Sequence, residues 1–399
     1  MYLTAQNLFF YLRDFGLASA DDVVDGGFGV VELGRRNRNF MVLRPGAGSL
    51  FVKQVPTVMP ETVLSLRREA ACAQLALDGG GALGSVAPRL RRFDPARHVL
   101  VFDGFEHSEP LTALVRRLGA LPEGLAGRMA RTLAACHLQT AAAGSLVPVA
   151  SVLPAEVPWV FRMGEQAETL MPAMAGGTRQ VVDAIRATPE LLYGMAALGA
   201  EWRRVALMHG DLKWENVLVV GPNDGERELR IIDWELADLG EPLWDVGGML
   251  CSFLQYWLLN LSPAQTANPL DPAAATPVRL DDVRRASAEF WAAYVDATRD
   301  GLPVTGEMVP RTGRLAGARL VLLAFELLQH TQPAITPHAA LCLHLARWLM
   351  ADPRRAMADL LGISTGGTVS PVDLAARGNA GAADAAPWKL GTLHPAGTP

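Results

Sequence analysis

The stretch that decides the fold is His209-Gly210-Asp211-Leu212-Lys213-Trp214-Glu215-Asn216, followed at once by Val217-Leu218-Val219-Val220. A second apolar run, Leu229-Arg230-Ile231-Ile232, ends on Asp233. Polar residues ahead of two short apolar runs read as a loop entering a β-hairpin. Such a hairpin brings Asn216 and Asp233 side by side. An amide oxygen beside a carboxylate suits a hard cation such as Mg²⁺, which takes oxygen ligands. Asp211, five positions before Asn216, is free on the loop to accept a proton from a hydroxyl. Lys213 can direct an ammonium at a transferring phosphoryl group. A positioned base, a metal and cations are the parts that phosphoryl transfer needs.

The same residues resemble the aminoglycoside phosphotransferase and choline kinase branch of the protein-kinase-like superfamily. That branch writes its catalytic loop as H-G-D-x-x-x-x-N and its metal motif as I-D-W/F-E. Here they stand as HGDLKWEN and IIDWE. The resemblance extends to the start of the chain. Lys53, in LFVKQ, sits where the family has its nucleotide lysine, and Glu69 follows on the next helix where its partner would be. The LGRRNRNF turn takes the place of the nucleotide-positioning loop, with Asn39 at its end. HVLVFDGFE resembles the strand and hinge that receive adenine, with Asp103 at the hinge. The resemblance implies an α+β, two-lobed, protein-kinase-like fold: a small antiparallel-sheet N-lobe over 1–103 and a mainly helical C-lobe over 104–363. It implies ATP and Mg²⁺ as cofactors. Asp211 and Lys213 are then catalytic, Lys53, Glu69, Asn39 and Asp103 lie at the nucleotide, and Asn216 and Asp233 hold the metal. It gives Asp245, in GEPLWDVGG, the role of bracing the catalytic loop.

The sequence departs from protein kinases in several places. The positioning turn carries Arg35, Arg36 and Arg38 instead of glycines. Glu235 stands where the glycine after the metal aspartate would be, preceded by Trp234, and no A-P-E segment is present. His209 is expected to order its loop by hydrogen bonding, and His137 to be a packed core residue. Glu326, inside an apolar helical stretch, is a candidate for the acceptor side of the cleft.

Composition supports this reading. The chain has 36 Lys plus Arg, yet only Lys53, Lys213 and Lys389 are lysine. In so Arg-rich a sequence, a surviving lysine marks a place where the planar guanidinium fork does not serve. Two of the three fall at the phosphate positions of the resembled family. The length of 399 residues suits two lobes, and 50% hydrophobic residues suffice for a large core. A formal charge of −5 gives no basic field to hold nucleic acid or an anionic membrane. Four cysteines far apart in apolar stretches suggest reduced, buried thiols. The first residues lack a basic leader, and no apolar run reaches ~18 clean residues, so a cytoplasmic protein is expected.

Along the chain, residues 1–22 read as a helix broken at Ser19–Asp22. Three β-runs follow (28–33, 39–44, 49–54), then a helix (61–77), a Gly-rich break (79–84) and two more strands to residue 103. Helices are expected over 110–140, 177–187, 189–204, 245–261, 281–299, 312–330 and 338–361. Residues 141–160 are Pro-rich and irregular, and 364–399 read as a disordered tail. The expected acceptor is a hydroxyl-bearing small molecule. No dense acidic cluster indicates a polycationic antibiotic, since Asp281-Asp282 is only a pair. A second reading is a kinase that phosphorylates Ser or Thr of a ribosomally made precursor peptide for later dehydration in natural product biosynthesis. A third, a nucleotide-binding pseudokinase, is disfavoured by the intact Lys53, Glu69, Asp211, Asn216 and Asp233.

Overall fold

The computed structural model describes residues 2–24, 27–34, 37–44, 46–55, 59–142, 144–170, 174, 176–221, 227–270, 277–302, 307–328 and 332–364. Arg35, Arg36, Lys389 and all but the first residue of the expected tail lie outside the described residues.

The N-terminal part runs α1 (Leu8–Asp14), α2 (Ala20–Val24), β1 (Gly29–Glu32), β2 (Arg38–Leu43), β3 (Leu50–Gln54), α3 (Pro60–Gly79), α4 (Gly81–Val86), β4 (Leu90–Asp94) and β5 (Val99–Asp103). Its five strands are antiparallel in the order β1-β2-β3-β5-β4. Period-2 alternation gives the sheet two apolar faces. Phe40, Val42, Leu50, Val52, Val99 and Val101 pack with Leu8, Tyr11 and Leu12 of α1. Leu100 and Phe102 pack with Leu66, Ala70 and Ala73 of α3. Lys53 pairs in register with Leu100, so its side chain leaves the sheet on the α3 side.

Three expectations here need correction. The first 22 residues are not one helix, because α1 begins only at Leu8. Ser19–Asp22 is not a break but the start of α2. The Asp22 carboxylate accepts from Ser19 N–H (2.7 Å), and Asp22 N–H donates to Ser19 Oγ (3.4 Å), a reciprocal cap. The Gly-rich break holds a further helix, α4. Gly80 and Gly81, at φ of +53° and +62°, end α3 and let the chain restart with Leu83 and Val86 buried.

The rest comprises β6 (Ser108–Pro110), α5 (Leu111–Leu118), α6 (Leu125–Ala141), α7 (Met163–Leu170), α8 (Gly176–Ala187), α9 (Pro189–Ala200), β7 (Ala206–Met208), β8 (Val217–Val220), β9 (Glu228–Ile231), β10 (Asp238–Gly240), α10 (Pro242–Leu258), α11 (Leu280–Thr298), α12 (Met308–Leu328), α13 (Pro337–Ala351) and α14 (Pro353–Leu361). The helix expected over 338–361 is two. Pro353 removes a helical N–H, and the Asp352 carboxylate caps the new start by accepting from Arg355 N–H. The helix expected to reach 204 stops at Ala200. Helix α12 is buried for most of its length and packs on α10 and α13. Cys72, Cys136, Cys251 and Cys342 are all free and buried, as expected. No described helix is long and apolar enough to cross a membrane.

Two small sheets frame the loops of interest. Strand β8 pairs with β9 and β6, and β7 pairs with β10. Residues 209–216 therefore leave from β7 and return into β8, while 232–237 run from β9 to β10. Both loops are held at each end by a strand.

Candidate active site

The hairpin does what its spacing implies. Val217 pairs with Ile231, and Ile232 N–H donates to the Asn216 carbonyl (2.9 Å), which sets Asn216 beside Asp233. Asn216 Nδ2 donates to the Asp211 carbonyl (2.8 Å). That fixes the amide orientation and leaves Oδ1 as the atom available to a cation. Asp233 adopts the left-handed conformation (φ +67°, ψ +55°), which turns the chain sharply between β9 and the 234–236 turn.

The loop over 209–216 is braced from beneath. The Asp245 carboxylate, at the start of α10, accepts from His209 N–H (2.6 Å) and Gly210 N–H (3.1 Å). His137 Nε2 lies 3.3 Å from the same carboxylate, and His137 Nδ1 is 2.9 Å from the Tyr294 hydroxyl. His209 Nε2 donates to the Ile232 carbonyl (2.8 Å), and its ring packs 4.8 Å from Trp234. His209 thus ties the 209–216 loop to the residue before Asp233. The Trp244 indole donates to the Gly210 carbonyl (2.7 Å).

Two charge clusters result. In the first, Lys53 Nζ lies 2.7 Å from Glu69 Oε2, 2.7 Å from Asp233 Oδ1 and 2.8 Å from Glu235 Oε2. Asn37 Nδ2 also donates to Glu235 (3.4 Å). Lys53 is only 4% exposed. Burial alone would lower its pKa, but the three carboxylates outweigh that and hold it above the ordinary lysine value. Burial pushes the Glu69 carboxyl up, Lys53 pulls it down, and Asp233 and Glu235 add to the rise. One ammonium among three carboxylates leaves a formal surplus of negative charge, and oxygens of Glu69, Asp233 and Glu235 all lie within 4.8 Å of one another. Asn39 stands opposite Lys53 in register, on the same face, and its Oδ1 is buried with no hydrogen-bond partner.

In the second cluster, Asp211 Oδ1 accepts from Arg319 Nη2 and Oδ2 lies against Lys213 Nζ, both at 2.9 Å. Lys213 is also 3.5 Å from Glu326. Burial would raise the Asp211 carboxyl, but Arg319 and Lys213 prevail and hold it below the ordinary aspartate value.

Asp103 joins neither cluster. It pairs with Leu50, so its side chain leaves the sheet on the face opposite Lys53, and Arg91 Nε holds its carboxylate at 2.5 Å. The backbone beside it continues the sheet, with Asp103 N–H donating to Arg89 O (3.0 Å) and Gly104 N–H to Ser49 O (2.8 Å). Arg38 is 3.6 Å from Glu32. Sequence reasoning missed Arg319 and gave Glu235 no role. A lone arginine amid Ala318, Leu320, Val321, Leu322 and Leu323 was the available signal for the first. An acid two positions past Asp233 was the signal for the second.

A family model described as a phosphotransferase enzyme family matches residues 29–301. Similar solved structures include an ethanolamine kinase from Plasmodium vivax, 11% identical, covering 87% of this chain and 89% of that one at a TM-score of 0.52. A choline kinase from Cryptosporidium parvum is 13% identical, covering 89% and 97% at 0.52. A choline/ethanolamine kinase family protein from Mesorhizobium loti is 18% identical, covering 88% and 99% at 0.50. At these identities the likeness establishes the two-lobed, protein-kinase-like fold. No curated protein matches the chain.

Proposed function

The chain belongs to the phosphotransferase enzyme family, and we propose that it moves the γ-phosphate of ATP to a hydroxyl of a small molecule with Mg²⁺ as cofactor. One observation carries this reading. Lys53, from the sheet, and Asp233, 180 residues later, meet at 2.7 Å in a cluster with surplus negative charge. The residues fit a divalent ion: the surplus carboxylates, Asn216 Oδ1, whose amide nitrogen is taken by the Asp211 carbonyl, and the unpartnered Asn39 Oδ1 are all oxygen donors. Asn216 and Asp233 would hold the Mg²⁺, which supplies positive charge to the phosphate oxygens when bound.

The protein's own groups do the rest. Lys53 exchanges Asp233 and Glu235 for oxygens of the α- and β-phosphates while Glu69 keeps its stem aimed. Asn39 borders the phosphates from β2. The hinge backbone at 103–106 receives the adenine, with Asp103 contributing through its main chain. Asp211 orients the acceptor hydroxyl and takes its proton, and Lys213 turns toward the transferring phosphoryl group. Positioning and fixed charge account for the catalysis.

The test begins with ADP release by the wild type against amino alcohols, hydroxylated antibiotics and Ser/Thr peptides. With the acceptor so found, Asp211→Asn is expected to lower turnover by about 10²–10⁴-fold while Mg-ADP affinity stays unchanged. An Asp211→Asn enzyme that turns over at the wild-type rate removes the proposed base.

A further inference from the structure

The two cations on Asp211 are not equivalent. Arg319 is 6% exposed and rises from α12, an element buried for most of its length. Its guanidinium is held three ways. Nη2 bonds Asp211 Oδ1 (2.9 Å), Nη1 donates to the Gly210 carbonyl (3.2 Å), and the plane lies 5.2 Å from the Trp244 ring centre. Trp244 donates to that same Gly210 carbonyl, so Arg319, Trp244 and the loop form a closed set of contacts. Lys213 differs on each count. Its side chain is 23% exposed, it is a point charge on a flexible stem, and its second partner, Glu326, is an exposed carboxylate at 3.5 Å.

We propose that Arg319 is the positioning residue for Asp211: it fixes Oδ1 and the Gly210 carbonyl in one grip and leaves Oδ2, shared with the displaceable Lys213, as the oxygen that meets the acceptor. This rests on the phosphotransfer reading above. In the step, the acceptor O–H gives its proton to Asp211 Oδ2 as its oxygen bonds to the γ-phosphorus. The bond from that phosphorus to the bridging oxygen breaks, and ADP leaves with the electron pair. Lys213, released from Oδ2 by the incoming hydroxyl, retains Glu326 and the phosphoryl oxygens as partners. In this assignment Arg319 acts through Asp211 and the Gly210 carbonyl, and not by contact with acceptor or nucleotide. A planar fork is required because one group must reach a carboxylate and a carbonyl together, which an ammonium on the same stem does less well.

The experiment is a double-mutant cycle on ADP release, with water or the best acceptor from the panel, alongside Mg-ADP affinity by calorimetry. Arg319→Met is expected to slow ADP release by about 100-fold with Mg-ADP affinity within about twofold, and Arg319→Lys to restore only part of the rate. In the Asp211→Asn background, Arg319→Met is expected to cost nothing further, because its route to the chemistry is already gone. If Arg319→Met slows Asp211→Asn as much as it slows the wild type, or leaves the wild-type rate intact, the assignment is overturned. Should Arg319→Met fail to fold, the same cycle with Arg319→Lys, which keeps the buried charge, decides in the same way. Failure of the phosphotransfer reading is distinct: there the wild type itself neither binds Mg-ADP nor releases ADP from ATP.

Discussion

Gly210 has a φ of +83°, and a Cβ on it would come within 2.2 Å of the Leu236 carbonyl oxygen. Both facts demand glycine between His209 and Asp211, so the middle letter of the HGD motif is steric. Gly210→Ala is expected to cost about 1–3 kcal/mol from backbone strain alone, read by urea denaturation, and to displace Asp211. A variant as stable and as active as the wild type would show that the loop relaxes freely. Asp233 reaches a comparable conformation without being glycine, at φ +67°. Its carboxylate is held there by Lys53. Asp211, Asn216, Asp233 and Lys53 could be singled out in the sequence only as a constellation, because alone Asn216 reads as a turn residue and Lys53 as a strand-edge lysine. Glu235 and Arg319 were harder to read, because their partners lie far away in the chain.

Elements are anchored by buried polar contacts at their ends. Asp94 closes β4 and accepts from the Tyr11 hydroxyl (3.2 Å), Ala96 N–H (3.1 Å), Arg97 N–H (3.1 Å) and Arg97 Nη1 (3.0 Å), tying α1 to the sheet. Burial raises its carboxyl, but the bonds from Arg97 and Tyr11 outweigh it and leave it below the ordinary 3.8. A carboxyl depressed in the folded state stabilises fully above its unfolded value and loses that contribution as pH falls through the folded one. Asp94→Asn is therefore expected to lose about 1–3 kcal/mol at neutral pH. Its gap to the wild type should shrink as pH drops below 3.8, followed by denaturation at each pH. A gap that persists unchanged in acid would assign the loss to something other than the charge. On α12, Arg311 pairs with the buried Glu241 through Nε (2.5 Å) and Nη2 (2.7 Å), and with Glu201 through Nη1 (2.9 Å). Two arginines of one helix thus grip the segment before α10 and the loop over 209–216. Helix α12 is a strut for the site as well as a wall of the core. The sequence marked it as an apolar helix and gave no hint of what its two buried arginines hold.

For the whole molecule, the proposed nucleotide site lies where the N-terminal sheet and α3 meet the loop after β9. Lys53 and Glu69 come from the N-terminal part, and Asp233 and Glu235 from the loop between β9 and β10. A ligand that binds only the folded state adds about 2.7 kcal/mol at a hundredfold excess over its Kd. Mg-ADP is therefore expected to raise the melting temperature by a few degrees, and EDTA to remove most of the rise. Asp233→Ala should show the smaller rise with or without Mg²⁺. A full Mg²⁺-dependent shift in Asp233→Ala, measured by scanning fluorimetry, would take Asp233 out of metal binding.

Read alone, the residues specified the β-hairpin that sets Asn216 beside Asp233 and the short strands around Lys53, while the fold class followed from the resemblance of the motifs to a known family. The hairpin and the strands are local, set by strand period, loop length and residue type over a few neighbouring positions. Long-range packing set the rest. It put Glu235 on Lys53, turned Asp103 away from the cluster, and brought Arg319 onto Asp211 from 108 residues downstream. No periodicity encodes such meetings, because they depend on how whole helices and sheets pack rather than on the residues beside each partner.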